Sequence, residues 1–353
     1  MTAIRLSICI ATLNRAAFIG GTLDSIISQA NDEVEIVVVD GASTDNTEEV
    51  VCQYRERFAR LNYVRLPAKG GVDRDYDRTV GYAQGEYCWL MSDDDILKPG
   101  AIEAVLEAAR AGYALIVVNA EVRKADLSAL TVPGLLPTLS DRVYTPAEFE
   151  RFFTDTGTYL SFIGCVVIRR AIWLSRERED FFGTEFIHIG VIFQSPLPGE
   201  VLVIARPWIA IRSGNASWSS RYFEIWMFKW PNLIWSLPGF PEAAKRQVCP
   251  REPWRMRKVL LISRAKGAFS LAQYHKLLEA RLAPGPERLM ARTIAALPGC
   301  LVNPPVFAYF SLFRREERYG LSEFRDSPFY PTNCLRRLVR RAAAVFRPGL
   351  RST

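Results

Sequence analysis

Three aspartates in succession, Asp93, Asp94 and Asp95, close the apolar stretch YCWLM and run into ILKPG. Like charges at that spacing repel one another, so the arrangement requires open water or a cation to offset it. Carboxylates gathered without a nearby His or Cys favour a hard, oxygen-seeking cation such as magnesium or manganese, usually shared with phosphate oxygens. The same acids would also serve to solvate a turn ahead of a helix that begins near Pro99. Their company favours the cation: Thr12 and Asn14 follow the apolar run ICIA, and Asp40 ends another, VEIVVVD.

Those residues must be positioned by regular elements. The β-branched and aromatic runs at 5–11, 34–40, 62–66, 86–91 and 113–119 predict strands. Between them, Asn14 opens a helix reaching about residue 30, and Thr44 or Asp45 opens another, with Glu48 three residues after Asp45. A further helix is expected from Pro99 to Gly112, with proline early and glycine just past the end. Strands alternating with helices predict an α/β fold with a mostly parallel sheet covered on both faces. In such sheets ligands bind beyond the carboxyl ends of the strands, which brings Thr12, Asn14, Asp40 and the acidic triplet to one edge.

The ordered series ICIATLNR, VVVDGASTDNT and WLMSDDD resembles the nucleotide-sugar-binding half of family 2 glycosyltransferases of the GT-A fold. KGGVDRDYD, TYLSFIGCVVIRRAIW, GTEFIHI, RPWIAIRSGNASW and REPW are together similar to the abequosyltransferase-like branch, which builds O-antigen side chains. The resemblance covers most of residues 5–260 and fades toward the C-terminus.

It implies a role for each matching position. Thr12 and Asn14 would line the nucleotide pocket, Asp40 would hydrogen-bond base or ribose, and Asp73 and Arg74 would add nucleotide contacts. Asp95 would hold the metal, Mn2+ or Mg2+, with Asp93 beside it, and Asp94 would meet the ribose or the metal. Such a cation would neutralise charge on the departing nucleoside diphosphate. The base that deprotonates the acceptor hydroxyl is expected in FFGTEFIHIG, Glu185 first and His188 second. His188 would equally suit the metal shell or the interior. The segment IRSGNASW resembles a loop that closes over donor phosphates, with Arg212 on a phosphate oxygen and Trp218 on the sugar.

The wider composition sets the context. Residues 1–126 carry 13 Lys+Arg against 20 Asp+Glu, and residues 127–353 carry 32 against 18. An acidic half suits a cation site, and a basic half suits an anionic surface. Seven scattered cysteines without a C-x-x-C pair argue against a disulfide framework or a zinc site and for a reducing cytoplasm. No signal peptide or transmembrane helix is expected; the run at 297–313 is interrupted by Pro304 and Pro305. The aromatic stretch around Trp226, Trp230 and Trp235 predicts a helical core or a lipid-facing surface.

Near residues 333–347, helical spacing puts Leu335, Leu338, Val339, Ala342 and Phe346 on one face and Arg336, Arg337, Arg340 and Arg341 on the other. That pattern predicts a helix lying on anionic lipid, placing the enzyme on the inner face of the cell membrane. No nucleic-acid reading motif accompanies the arginines. The expected organisation is a catalytic domain over 1–218, split into a nucleotide-sugar half (1–126) and an acceptor half (127–218), then a helical region over 219–353.

The implied reaction moves a sugar from a nucleoside diphosphate donor to a polyprenyl-diphosphate-linked glycan. A sugar nucleotidyltransferase would share the sheet but carry a glycine-rich basic loop after the first strand, and ATLNRAAFIG offers none. A non-catalytic nucleotide-sugar-binding scaffold would not need Asp94 and Asp95.

Overall fold

The structure is a computed structural model that describes residues 3–214, 221–313 and 318–335. The first elements are β1 (Leu6–Thr12), α1 (Ala16–Ile27), β2 (Val34–Asp40), α2 (Thr47–Arg57), β3 (Leu61–Arg65), α3 (Val72–Tyr82), β4 (Tyr87–Met91), β5 (Ile96–Leu97) and α4 (Ala101–Ala111). There follow β6 (Leu115–Arg123), β7 (Leu130–Val132), β8 (Arg142–Tyr144), α5 (Phe149–Thr156), β9 (Val166–Arg169), α6 (Arg170–Ser175), α7 (Ile187–Phe193) and β10 (Val201–Arg212). The strands form one sheet in the order β3-β2-β1-β4-β9-β6-β10-β5, with β7 beside β6 and β8 beside β10.

The pairs β3–β2, β2–β1, β1–β4 and β6–β10 are parallel, while β9 runs antiparallel to both β4 and β6. Every residue of β2 and of β4 is buried, as expected of strands covered on both faces. The expected strands and helices are present with ends shifted by a few residues; β5, β7–β10, the charged α3 and α5–α7 are additional. The first parallel strands end at Thr12, Asp40 and Met91, so their carboxyl ends share an edge.

Chain contacts group residues 1–213 and 229–251 as one compact unit and residues 214–228 and 252–353 as a second. To the first belong α8 (Trp230–Ser236) and α9 (Glu242–Val248); to the second belong α10 (Arg257–Lys266), α11 (Pro286–Ala296), α12 (Gly299–Phe313) and α13 (Arg318–Asp326). The tryptophans serve as core: Trp230 is buried, Trp226 packs against a cluster that includes Phe223, Phe269 and Tyr274, and Trp235 donates its indole N–H to the Cys249 carbonyl. The run expected to break at Pro304 and Pro305 is helical through both, although each removes one backbone donor. Among the described residues no single helix is long and apolar enough to cross a membrane. The arginine-rich tail beyond residue 335 lies outside the described residues.

Candidate active site

Two loops at the carboxyl edge of the sheet are stitched to one another. Asn14 takes the left-handed conformation (φ 55°), which asparagine tolerates better than most residues. Its Oδ1 accepts the Thr44 backbone N–H at 2.7 Å, and its own N–H donates to Ser43 Oγ at 2.8 Å. The next two N–H groups donate to Thr47 Oγ1 and Asp45 Oδ2. Asp40, fully buried, accepts the Ser43 N–H on one oxygen and the Tyr63 hydroxyl on the other, each at 2.7 Å. Thr12 Oγ1 is buried and makes no hydrogen bond. The loops after β1 and β2 thus form a braced wall.

Helix α3 ties this wall to the acidic triplet. Asp75 stands so close to Gly41 that a Cβ there would lie 3.1 Å from its Oδ2 and 3.6 Å from the Thr12 carbonyl, a fit only glycine permits comfortably. One residue on, buried Tyr76 donates to the carbonyl of Met91, the last residue of β4. The triplet therefore begins at a fixed point.

Its three carboxylates are unequal. Arg15 reaches across from the β1–α1 loop, with Nε donating to Asp93 Oδ1 at 3.1 Å and Nη2 to Asp94 Oδ2 at 2.5 Å. Both acids keep 13% side-chain exposure. Burial, then the Asp94 charge, pushes the Asp93 carboxyl up to about 6, against the pull of Arg15. Asp95 instead points inward: 3% exposed, it accepts the Arg212 backbone N–H at 3.1 Å, and burial raises its carboxyl well above the usual range. Its backbone carbonyl accepts the Thr22 hydroxyl. Asp93 and Asp94 are the pair held by Arg15, whereas Asp95, the metal ligand expected first, anchors the loop to β10.

Arg212 completes that anchor. Its Nε donates to the Asp94 carbonyl at 3.0 Å and its Nη1 to the Ala125 carbonyl at 2.9 Å. With those two donors committed to backbone, its place is under the acidic loop. Trp218 lies outside the described residues.

Asp73 and Arg74 are placed differently from the expected nucleotide contacts. Asp73 is buried and accepts three backbone N–H groups, from Gly183 and Glu185 on Oδ2 and from Ile187 on Oδ1, at 2.8–3.0 Å. It holds the loop that enters α7. Arg74 lays its guanidinium 4.3 Å from the Phe182 ring centroid on that same loop. Within it Glu185 is held at φ 72°, a strained backbone for a non-glycine residue, and its carboxylate accepts Lys229 Nζ at 2.9 Å.

His188 departs from both of its expected functional roles. It is 1% exposed, its Nε2 lies 2.7 Å from the Leu160 carbonyl, and burial lowers it to about 4. A ring walled off in this way is a core residue, neither a base nor a metal ligand. Sequence reasoning passed over Arg15, although it follows Asn14 directly in a loop on the ligand-binding edge. It also passed over Lys229, which stands 44 positions from Glu185 and gives no local signal.

An all-oxygen donor pair suits a hard divalent cation, and Asp93 with Asp94 supplies two carboxylates close to the Thr12 hydroxyl. Among the described residues no cluster of three or more ligating side chains is preassembled. The remaining ligands would come from phosphate oxygens and water. The residues fit a cation that arrives with its anionic partner.

Sheet order, the braced wall and the acidic loop at its edge together define a glycosyltransferase on the GT-A fold. Residues 7–175 match the family described as Glycosyl transferase family 2. The abequosyltransferase of Salmonella typhimurium is 26% identical over 231 residues, spanning 61% of this chain and 69% of that protein. The GalNAc(5)-diNAcBac-PP-undecaprenol beta-1,3-glucosyltransferase of Campylobacter jejuni is 30% identical over 121 residues, 34% of this chain and 39% of that one. Among solved structures, S. aureus TarS residues 1–349 in complex with UDP aligns over 91% of this chain and 89% of its own, with a TM-score of 0.52 at 18% identity. A mannosyltransferase of Pyrobaculum calidifontis in complex with GDP-Man and Mn2+ aligns over 92% and 86%, with a TM-score of 0.51 at 15% identity.

Proposed function

We propose that the chain transfers a sugar from a nucleoside diphosphate sugar to a lipid-linked bacterial surface glycan, at the cytoplasmic face of the membrane, with Mn2+ or Mg2+ held by Asp93 and Asp94. The observation that carries this reading is the two carboxylates gathered by Arg15 next to the braced wall made by the loops after β1 and β2. When bound, the cation supplies Lewis-acid neutralisation of the leaving diphosphate. The chain's own residues do the rest. Asn14, Asp40 and Thr12 shape the seat of the nucleoside, and Asp95 and Arg212 keep the acidic loop from yielding as charge builds. Glu185, oriented by Lys229 and by the strained turn that Asp73 clamps, takes the proton of the acceptor hydroxyl.

The names of two relatives support the acceptor class: one is an abequosyltransferase, and the other acts on a glycan carried by PP-undecaprenol. Thermal unfolding with a panel of nucleoside diphosphate sugars tests the donor class. At saturating donor and Mn2+ the midpoint should rise by several degrees for one nucleoside family, and less without the metal. No rise with any donor would overturn the reading.

A further inference from the structure

Helix α12 contains no charged residue in its 15 positions. Its exposed positions are Leu301, Pro305, Ala308, Tyr309, Leu312 and Phe313, and the spacing places them along one face. Leu301, Leu312 and Phe313 remain 70%, 63% and 73% exposed. The other face is committed: Val302 and Phe310 pack with Ala265 and Phe324, and Asn303 donates to the carbonyls of those same two residues. A helix whose outer face met only water would carry polar side chains there. Next to it α11 leaves Leu289 67% exposed, and the two helices meet at 98°.

We propose that this outer face of α12 is a membrane-docking surface that lies in the headgroup boundary of an anionic bilayer. The inference rests on the proposed lipid-linked acceptor only in that such an acceptor brings the enzyme to a bilayer. Alone, the helix is too short to span, because fifteen residues make about 22 Å against a hydrocarbon core of about 30 Å, and the 98° bend keeps α11 from extending it in line. Charge favours anionic lipid over a protein partner of mixed charge. Residues 252–353 carry 19 Lys+Arg against 7 Asp+Glu, and Arg292 is exposed on α11. Tyr309 and Phe313 add the aromatic character common at the membrane interface.

Sedimentation of the full-length protein with phosphatidylcholine vesicles containing about 30% phosphatidylglycerol tests this. L312E/F313E should lower the vesicle-bound to free ratio by about tenfold or more, while L312F/F313L keeps it. Both side chains project from the surface, so the melting midpoint should not move; if the glutamate pair melts early, L301Q/L312Q is read in its place. Wild-type sedimentation of a folded L312E/F313E protein would overturn the proposal. A wild-type dimer that this variant dissociates, with vesicle binding unchanged, would assign the face to a second copy and overturn it as well. If the wild type ignores vesicles the docking surface fails, and donor-induced stabilisation still decides the glycosyltransferase reading separately.

Discussion

Arg15 stands between Asp93 and Asp94 as a built-in counter-ion, which explains how three consecutive acids persist at the end of a buried strand. A guanidinium in that place keeps the carboxylates oriented toward one point, where a divalent ion would compete for the carboxylates and a diphosphate for the guanidinium. His188 shows the opposite treatment of a titratable group, buried without a charge partner. Its folded value of about 4 lies below the ordinary 6.5, so in the window between them the unfolded chain binds a proton that the folded chain refuses. Stability therefore falls as pH drops through that window, by about 3 kcal/mol in all. His188→Gln should remove this component, seen as a flatter dependence of unfolding free energy on pH between about 6.5 and 4. An unchanged slope would mean that the ring reaches solvent.

At the scale of elements, α3 is the strut of the site. Within one turn it presents Asp73 to the Glu185 loop, Asp75 to Gly41 and Tyr76 to the root of the acidic loop. Asp73→Ala removes three hydrogen bonds to a buried carboxylate and should destabilise the fold by about 2–4 kcal/mol. Because the loop it frees carries the candidate base, turnover should fall further than donor affinity does, which comparing kcat with the donor dissociation constant checks. Equal losses in both would return Asp73 to the nucleotide pocket.

The sheet was readable because its strands are buried on both faces: VEIVVVD leaves no ambiguity, and β2 occupies those seven residues. The strut was not. VDRDYDRTVGY carries two aspartates at core-facing positions, which hides its helical period; Asp73 is buried through hydrogen bonds to backbone 110 or more positions away, and Asp75 is buried against Gly41. The acidic triplet was legible as a site but not in its division of labour. Which oxygen faces inward depends on Arg212, 117 positions from Asp95, and on Arg15, 78 and 79 positions from Asp93 and Asp94.

Over the whole molecule, charge and function divide in the same direction. The acidic first part carries the proposed cation site, and the basic remainder carries the face proposed to meet anionic lipid. All of this depends on Asp93 and Asp94 holding a divalent ion against a nucleoside diphosphate. The most direct measurement is Mn2+ binding to the full chain with UDP or GDP present, followed by the electron paramagnetic resonance of free Mn2+. Wild type should bind more tightly with one of the nucleotides than without, and Asp94→Asn should weaken that binding by at least about tenfold while leaving the melting midpoint in the folded range. Wild-type Mn2+ affinity in a folded Asp94→Asn protein would contradict the account.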